Sequence, residues 1–333
     1  MRIGLAGAGR IGAFHASTLA ALEDVDQVVV TDAVPTVAAE LAEQNGYESA
    51  SDLDDLLSRV DGLVITTPTS THAATLRAAV AAKVPTFCEK PVAATLDETL
   101  ELLDLVDEAE IPVHVGFQRR FDAGYRRARE AVGNGELGFI HTVRVNTHDQ
   151  SPPPAAYIPT SGGLFRDCSI HDIDALRFVT GREVTTVYAV GANKGAAFFT
   201  EGGDIDTGAA VLTLDDDTLV VLSATRYNGG GHDVRMEVMG SEGTLGVGYD
   251  DSLALRSAEE GVGYPRGPQK WSFMERFLPA YRRELTAFCD VVAGRAESPC
   301  TVRDALQAFR VVDACELSRA SGRPVTMNEI GGA

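Results

Sequence analysis

The sequence predicts an α/β protein of two domains: a doubly wound parallel sheet first, then an α+β domain on a large, open, mainly antiparallel sheet. Three observations predict it. The 333 residues suit about two domains at roughly 150 residues each. Up to about residue 120, short apolar runs alternate with Ala- and Leu-rich stretches, the pattern of strands covered on both faces by crossover helices. Beyond that point the runs turn Thr- and Val-rich and alternate in polarity, as strands with one solvated face do. The division therefore falls at 1–120 and 121–333, with the final helices able to pack back on the first domain.

Taken in order, the expected strands of the first domain are Ile3–Ala6, Val28–Val30, Leu63–Thr66, Thr86–Cys88 and Val113–Gly116. Helices are expected over Ala13–Leu22, Thr36–Glu43, Ala73–Ala82 and Leu96–Ala109, where alanine and leucine favour helix. A further helix, Asp122–Val132, opens the second domain. Strands follow at Thr142–Thr147, Val184–Val190, Ala209–Leu214, Leu219–Thr225 and Val234–Met239, separated by turn signals such as Asp215–Asp217 and Gly229–Gly231. The Pro- and Gly-rich stretch 151–163 reads as a loop near the domain junction, and helices near Arg276–Ala293 and Thr301–Ala320 close the chain.

Composition excludes several classes of function. Asp plus Glu is 48 against 29 Lys plus Arg, a formal net charge of −19. Duplex binding needs a basic surface that displaces counterions, so nucleic acid is a poor partner, as is an anionic membrane surface. An uncharged substrate is mildly favoured over an acidic one. No window approaches the roughly 18 apolar residues of a membrane span, and the N-terminus makes a poor signal peptide. Five cysteines, an odd number with no C-x-x-C pair, argue against a disulfide or zinc framework and for a reducing cytoplasm.

Gly7, Gly9 and Gly12 form G-A-G-R-I-G directly after the first strand and before a helix. In a Rossmann unit the first glycine permits the tight turn, the second lets backbone approach a pyrophosphate, and the third lets helix pack on strand. The helix N-terminus, with Arg10 and Ile11, then offers N–H groups to the phosphates. Asp32 ends the second strand 20 residues after Gly12, where an acid would hydrogen-bond the adenine ribose and repel a 2′-phosphate. NAD is therefore expected over NADP; the alternative is an aspartate that begins a turn.

Thr66, Thr67, Pro68 and His72 follow the Leu63–Thr66 strand and would line the carboxyl edge of the sheet, where ligands bind. His72 reads equally well as a satisfied residue at a helix start. Glu89-Lys90-Pro91 ends the next strand. Pro91 keeps Lys90 extended, and a lysine there could hydrogen-bond a substrate oxygen or be an ordinary surface lysine. In the second domain, Asp167 and His171 are i and i+4 if Phe165–Thr180 is helical, and so share a face. An acid beside an imidazole orients it and favours its charged form, which suits a base that takes an alcohol proton. A helix cap, or a metal site needing further ligands, are the other readings of the same pair; no metal is expected.

G-A-G-R-I-G, Glu89-Lys90-Pro91, V-G-F-Q-R-R-F-D (115–122) and G-G-L-F-R-D-C-S-I-H-D-I-D (162–174) together resemble the Gfo/Idh/MocA oxidoreductase family. The match extends to F-L-P-A-Y-R-R-E-L-T-A-F (277–288), and the wording leans toward the inositol 2-dehydrogenase branch. The resemblance implies an N-terminal Rossmann domain and a second domain whose open sheet face forms dimers or tetramers. It implies that Lys90, Asp167 and His171 are the catalytic trio, with the bond before Pro91 often cis. It adds Glu89 to the cofactor side and Arg120, His148 and Tyr281 to the substrate side. Three positions depart from the inositol pattern: Gln150 stands for an expected Asn, Arg119 for a frequent Met, and N-G-G-G-H (228–232) for a region that often supplies a Tyr.

The implied activity is NAD-dependent oxidation of a secondary alcohol on a cyclic polyol or sugar, most like myo-inositol. The alternatives are another sugar dehydrogenase, an NAD-retaining glycosidase or epimerase, and a non-catalytic NAD-sensing protein. The last has no need of a proton acceptor.

Overall fold

The computed structural model describes residues 1–331, which form two compact units: 1–118 with 279–307, and 119–278 with 308–331.

The first unit contains strands β1 (Arg2–Ala6), β2 (Gln27–Thr31), β3 (Glu48–Ser49), β4 (Gly62–Ile65), β5 (Thr86–Glu89) and β6 (Val113–Gly116). Their order is β3-β2-β1-β4-β5-β6 and every pairing is parallel. The connecting helices are α1 (Arg10–Ala20), α2 (Pro35–Asn45), α3 (Leu53–Leu57), α4 (Thr69–Ala81) and α5 (Leu96–Ala109). β3 and α3 are the elements the periodicity did not announce: one is two residues long and the other five, too short to show a period. Local chemistry sets the helix ends. Pro35 begins α2 and Gly46 ends it at φ 72°; Thr95 accepts the Glu98 N–H to start α5. Ile3, Leu5, Val28, Val30, Val64 and Phe87 from the strands form one buried cluster with Ala16 and Leu19 of α1 and with Leu285, Phe288 and Cys289. Those last three lie on the long helix between residues 273 and 292.

The strand order reverses between β1 and β4, and at such a point the loops leaving the two carboxyl ends diverge to opposite faces and open a crevice. That crevice places the glycine turn after β1 beside residues 66–68 after β4.

The second unit carries α6 (Ala123–Gly133), β7 (Ile140–His148), α7 (Ile170–Thr180), β8 (Val184–Ala192), a single turn α8 (Phe198–Glu201), β9 (Thr207–Leu214), β10 (Leu219–Thr225), β11 (Asp233–Gly240) and β12 (Thr244–Val247). The closing helices are α9 (Phe273–Val292) and α10 (Val302–Ser321), and β13 (Val325–Thr326) ends the sheet. The sheet order is β12-β11-β7-β10-β9-β8-β13. It is antiparallel except where β10 runs parallel to β7. Burial alternates along β9 and β10. The exposed set includes Tyr188, Val190, Val211, Leu219 and Val221.

Two consecutive arginines bolt α7 to this unit. Arg119 donates to Asp172 Oδ1 at 2.5 Å and to Thr147 Oγ1 at 2.8 Å. Arg120 grips Asp174 through Nε at 2.9 Å and Nη2 at 2.6 Å, and Asp174 is 0% exposed. The R-R-F-D and H-D-I-D segments are thus two halves of one buried ionic bolt. Removing one partner of a buried pair leaves an uncompensated charge. Arg120→Met should therefore cost about 3–5 kcal/mol in urea unfolding, and Arg120→Met with Asp174→Leu should recover most of it.

Candidate functional site

The dinucleotide motif is built as its spacing requires. Gly7 has φ 101°, and a Cβ there would lie 2.7 Å from the Thr67 nitrogen. A Cβ on Gly12 would fall 1.8 Å from the Gly7 carbonyl oxygen, so α1 reaches the turn only because this residue has no side chain. Gly9 differs: nothing lies within 4 Å of its Cβ position. That open space, at the N-cap of α1 with Arg10 and Ile11 following, is where backbone can meet a pyrophosphate. Thr66 Oγ1 donates to the Gly7 carbonyl at 2.7 Å and ties the two loops of the crevice together. Asp32 accepts the Ala8 N–H at 2.7 Å and the Val34 N–H at 2.9 Å, which holds its carboxylate beside the glycine turn. The donor set, the open cradle and the placed acid fit NAD.

The other residues expected on the cofactor side have partners of their own within the first unit. The ring of His72 is 2% exposed and bridges two carbonyl oxygens, Pro91 O at 2.7 Å and Thr67 O at 2.8 Å. It bolts the 66–68 loop to the Lys90–Pro91 segment, whose peptide bond is cis. Thr67 is half-buried with its hydroxyl 2.8 Å from that of Thr71, and Pro68 is exposed at the start of α4. Glu89 pairs with the fully buried His15 at 2.6 Å. Lys90 is half-buried beyond the end of β5. Tyr281 is buried, edge-on to Phe14 at 5.1 Å and to His15 at 5.6 Å. Arg120, expected to meet substrate, donates to Asp174 in the second unit, where a fully buried carboxylate demands a cation.

In the second unit, the approach to Asp167 is set by Gly162 (φ 80°) and Gly163 (φ 96°), left-handed positions that favour glycine. Asp204 then accepts the Leu164 N–H at 2.9 Å. The helix that follows is not uniform. Residues Phe165–Ser169 are π-helical and only Ile170–Thr180 are α-helical, so Asp167 and His171 straddle the junction. π-turns of this kind occur often at functional sites. Neither segment has a side-chain N-cap, and Asp167 lies in the first turn of the π-helical one. Both residues are half-buried.

Strand register brings further groups to Asp167. His148 ends β7 opposite Thr225 of β10 and Asp233 of β11, so residues 148–149, 225–226 and 232–233 share one edge of the sheet. The structure collects there four residues that sequence reasoning did not single out. Arg226 donates to Asp167 Oδ2 at 2.6 Å and to Asp149 Oδ2 at 3.0 Å. Its side chain is 4% exposed. Tyr157 donates its hydroxyl to Asp167 Oδ1 at 3.0 Å. His232 Nδ1 lies 3.5 Å from Asp149 Oδ1. Burial opposes the charge on Asp149, yet His232 and Arg226 hold its pKa below the ordinary value. Burial raises the Tyr157 phenol, and the Asp167 charge adds to the effect. His148 itself contacts Ser223 Oγ at 2.9 Å, and burial lowers its pKa, with Asp233 opposing. The only hint of this cluster in the chain was that strands β7, β10 and β11 each meet a polar pair at one end.

Comparison with known proteins now bears on this geometry. Residues 1–117 match the oxidoreductase family with an NAD-binding Rossmann fold, and residues 125–246 match its Gfo/Idh/MocA C-terminal domain. The chain belongs to the Gfo/Idh/MocA oxidoreductase family. It is 38% identical over 326 residues to a myo-inositol dehydrogenase of Streptomyces leeuwenhoekii, covering 97% of this chain and 98% of that one. It is 32% identical to a myo-inositol 2-dehydrogenase of Thermotoga maritima, over the whole of both chains. Among solved structures, scyllo-inositol dehydrogenase of Lactobacillus casei, with bound NAD(H) and scyllo-inositol, superposes with a TM-score of 0.89 at 29% identity, covering 98% and 99% of the two chains. The protein is an NAD-binding oxidoreductase of this family.

If Asp32 chooses the cofactor, Asp32→Ser should lower kcat/KM for NAD⁺ by about 10- to 100-fold, the worth of a charged hydrogen bond, and raise turnover with NADP⁺. Unchanged cofactor preference in steady-state kinetics would refute the assignment.

Proposed function

We propose that the chain oxidises a secondary alcohol of a cyclic polyol or sugar with NAD⁺, most like the oxidation of myo-inositol at carbon 2. The carrying observation is full-length similarity to relatives named as inositol dehydrogenases, at 32–38% identity, in a chain that carries Lys90, Asp167 and His171. When bound, NAD⁺ supplies the hydride acceptor. His171 takes the hydroxyl proton of the substrate. Asp167 orients the His171 ring and stabilises its protonated form, while Arg226 and Tyr157 hold Asp167 as an acceptor. Lys90 donates a hydrogen bond to the same substrate oxygen and steadies its developing charge. His148, half-buried beside Ser223, is placed to contact substrate hydroxyls.

We assign the protein to the cytoplasm, where all five cysteines can persist as the buried thiols seen here. Among the described residues no helix is long and apolar enough to cross a membrane. We also propose a homodimer or homotetramer formed through the open face of β8–β10. Tyr188, Val190, Val211, Leu219 and Val221 are 42–50% exposed there, and an exposed apolar patch is a common mark of an association surface.

Two measurements test these readings. His171→Ala should lose about 10²- to 10⁴-fold in kcat, the usual worth of a general base, while NADH still binds by fluorescence titration. Unchanged turnover, or no NAD⁺ reduction across inositol isomers and pyranoses by the wild type, would defeat the proposal. For the assembly, light scattering should give a multiple of 35.3 kDa that Val211→Lys with Val221→Glu reduces. A wild-type monomer at micromolar concentration would exclude it.

A further inference from the structure

We infer that Arg226 is a positioning residue for the reaction, acting on His171 through Asp167, and that Asp149 is the anchor that aims it. The inference rests on the polyol dehydrogenase reading for its chemistry and for the step from Asp167 to His171, and on the ion pairs of Arg226 for its geometry. Arg226 leaves the end of β10 and spans two carboxylates from two other elements. Nη2 meets Asp167 Oδ2 at 2.6 Å on the π-helical turn. Nη1 meets Asp149 Oδ2 at 3.0 Å just beyond β7, and also lies 2.9 Å from Cys168 Sγ. The Arg226 side chain is 4% exposed and that of Asp167 15%, so the pair is little screened by water. The Tyr157 hydroxyl takes the other oxygen of Asp167.

A fixed guanidinium does two things to a carboxylate. It fixes the plane of the carboxyl group, because the fork of N–H donors has a set direction. It also keeps the carboxylate anionic, so that a proton taken from substrate stays on His171 rather than passing to Asp167. Asp149 is needed because Arg226, aimed by a single carboxylate, could rotate about its long side chain. A lysine offers a single point charge without the planar two-nitrogen fork that meets the two carboxylates here, so arginine holds them in a more defined direction.

The test compares wild type, Arg226→Met, Arg226→Lys and Asp149→Asn in the whole chain. Arg226→Met should lower kcat about 10- to 100-fold, the loss of a charge-assisted hydrogen bond. NADH affinity should stay within about twofold, since uniform binding is untouched. The primary isotope effect on kcat with carbon-deuterated polyol should rise. Arg226→Lys should restore part of the loss, and Asp149→Asn should show a smaller loss of the same kind. A loss that reflects only fewer NADH-binding sites, with kcat per site and isotope effect unchanged, overturns the inference. If Arg226→Met does not fold, full kcat per site in both Arg226→Lys and Asp149→Asn overturns it equally.

A readout independent of turnover separates this inference from the functional reading. In ¹⁵N-histidine-labelled protein, with the His171 signals assigned by their loss in His171→Ala, its ring resonances should shift in Arg226→Lys and Asp149→Asn, whereas those of His114 stay. Unmoved His171 resonances overturn the positioning role whatever the substrate proves to be. A wild type without polyol dehydrogenase activity but with shifted His171 resonances defeats the functional reading alone.

Discussion

The α7 carboxylates Asp172 and Asp174, and Asp167 just before them, are each in contact with a guanidinium, and that constraint shapes the second unit. A buried ion without a partner is costly enough to dictate packing. Asp172 has Arg119, Asp174 has Arg120, and Asp167 shares Arg226 with Asp149. In a chain with 48 acidic and 29 basic residues, arginines spent in this way are unavailable to the surface. The net charge of −19 is thus a property of the exterior more than of the site.

The same pairing explains how a small piece of helix is held where chemistry can use it. Arg119 and Arg120 precede α6 and draw α7 against β7, so the backbone on either side of His171 is fixed by ion pairs and by buried Ile170, Ile173 and Leu176. Upstream, two left-handed glycines and the π-turn deliver Asp167. The parallel β7–β10 pair matters here. It brings the carboxyl ends of two strands to one edge, and so places Asp149 and Arg226 side by side. A purely antiparallel sheet would have separated them.

In the first unit the corresponding constraint is steric rather than electrostatic. The Gly7 carbonyl occupies the space that a side chain on Gly12 would need, and Thr66 locks the opposite loop to the same carbonyl. His72 extends the lock to Lys90–Pro91 by bridging two backbone oxygens. Cofactor turn, crevice loop and lysine are therefore one connected framework, although they lie far apart in the chain.

The sequence by itself determined the parallel first sheet, the dinucleotide turn and the acid at the end of β2, because each depends on local periodicity or on fixed spacing within about 30 residues. Family wording added Lys90, Asp167 and His171. Only the tertiary structure decided which partners Arg120, His72 and Glu89 meet, since burial and partner are properties of residues brought from elsewhere. The same holds for Asp149, Tyr157, Arg226 and His232. Asp149, Arg226 and His232 follow from strand register, which a one-residue slip would overturn, and Tyr157 follows from the short helical segment Ala155–Thr160. No local pattern in a single chain encodes that pairing, because its energy lies in contacts between residues 10 to 83 positions apart.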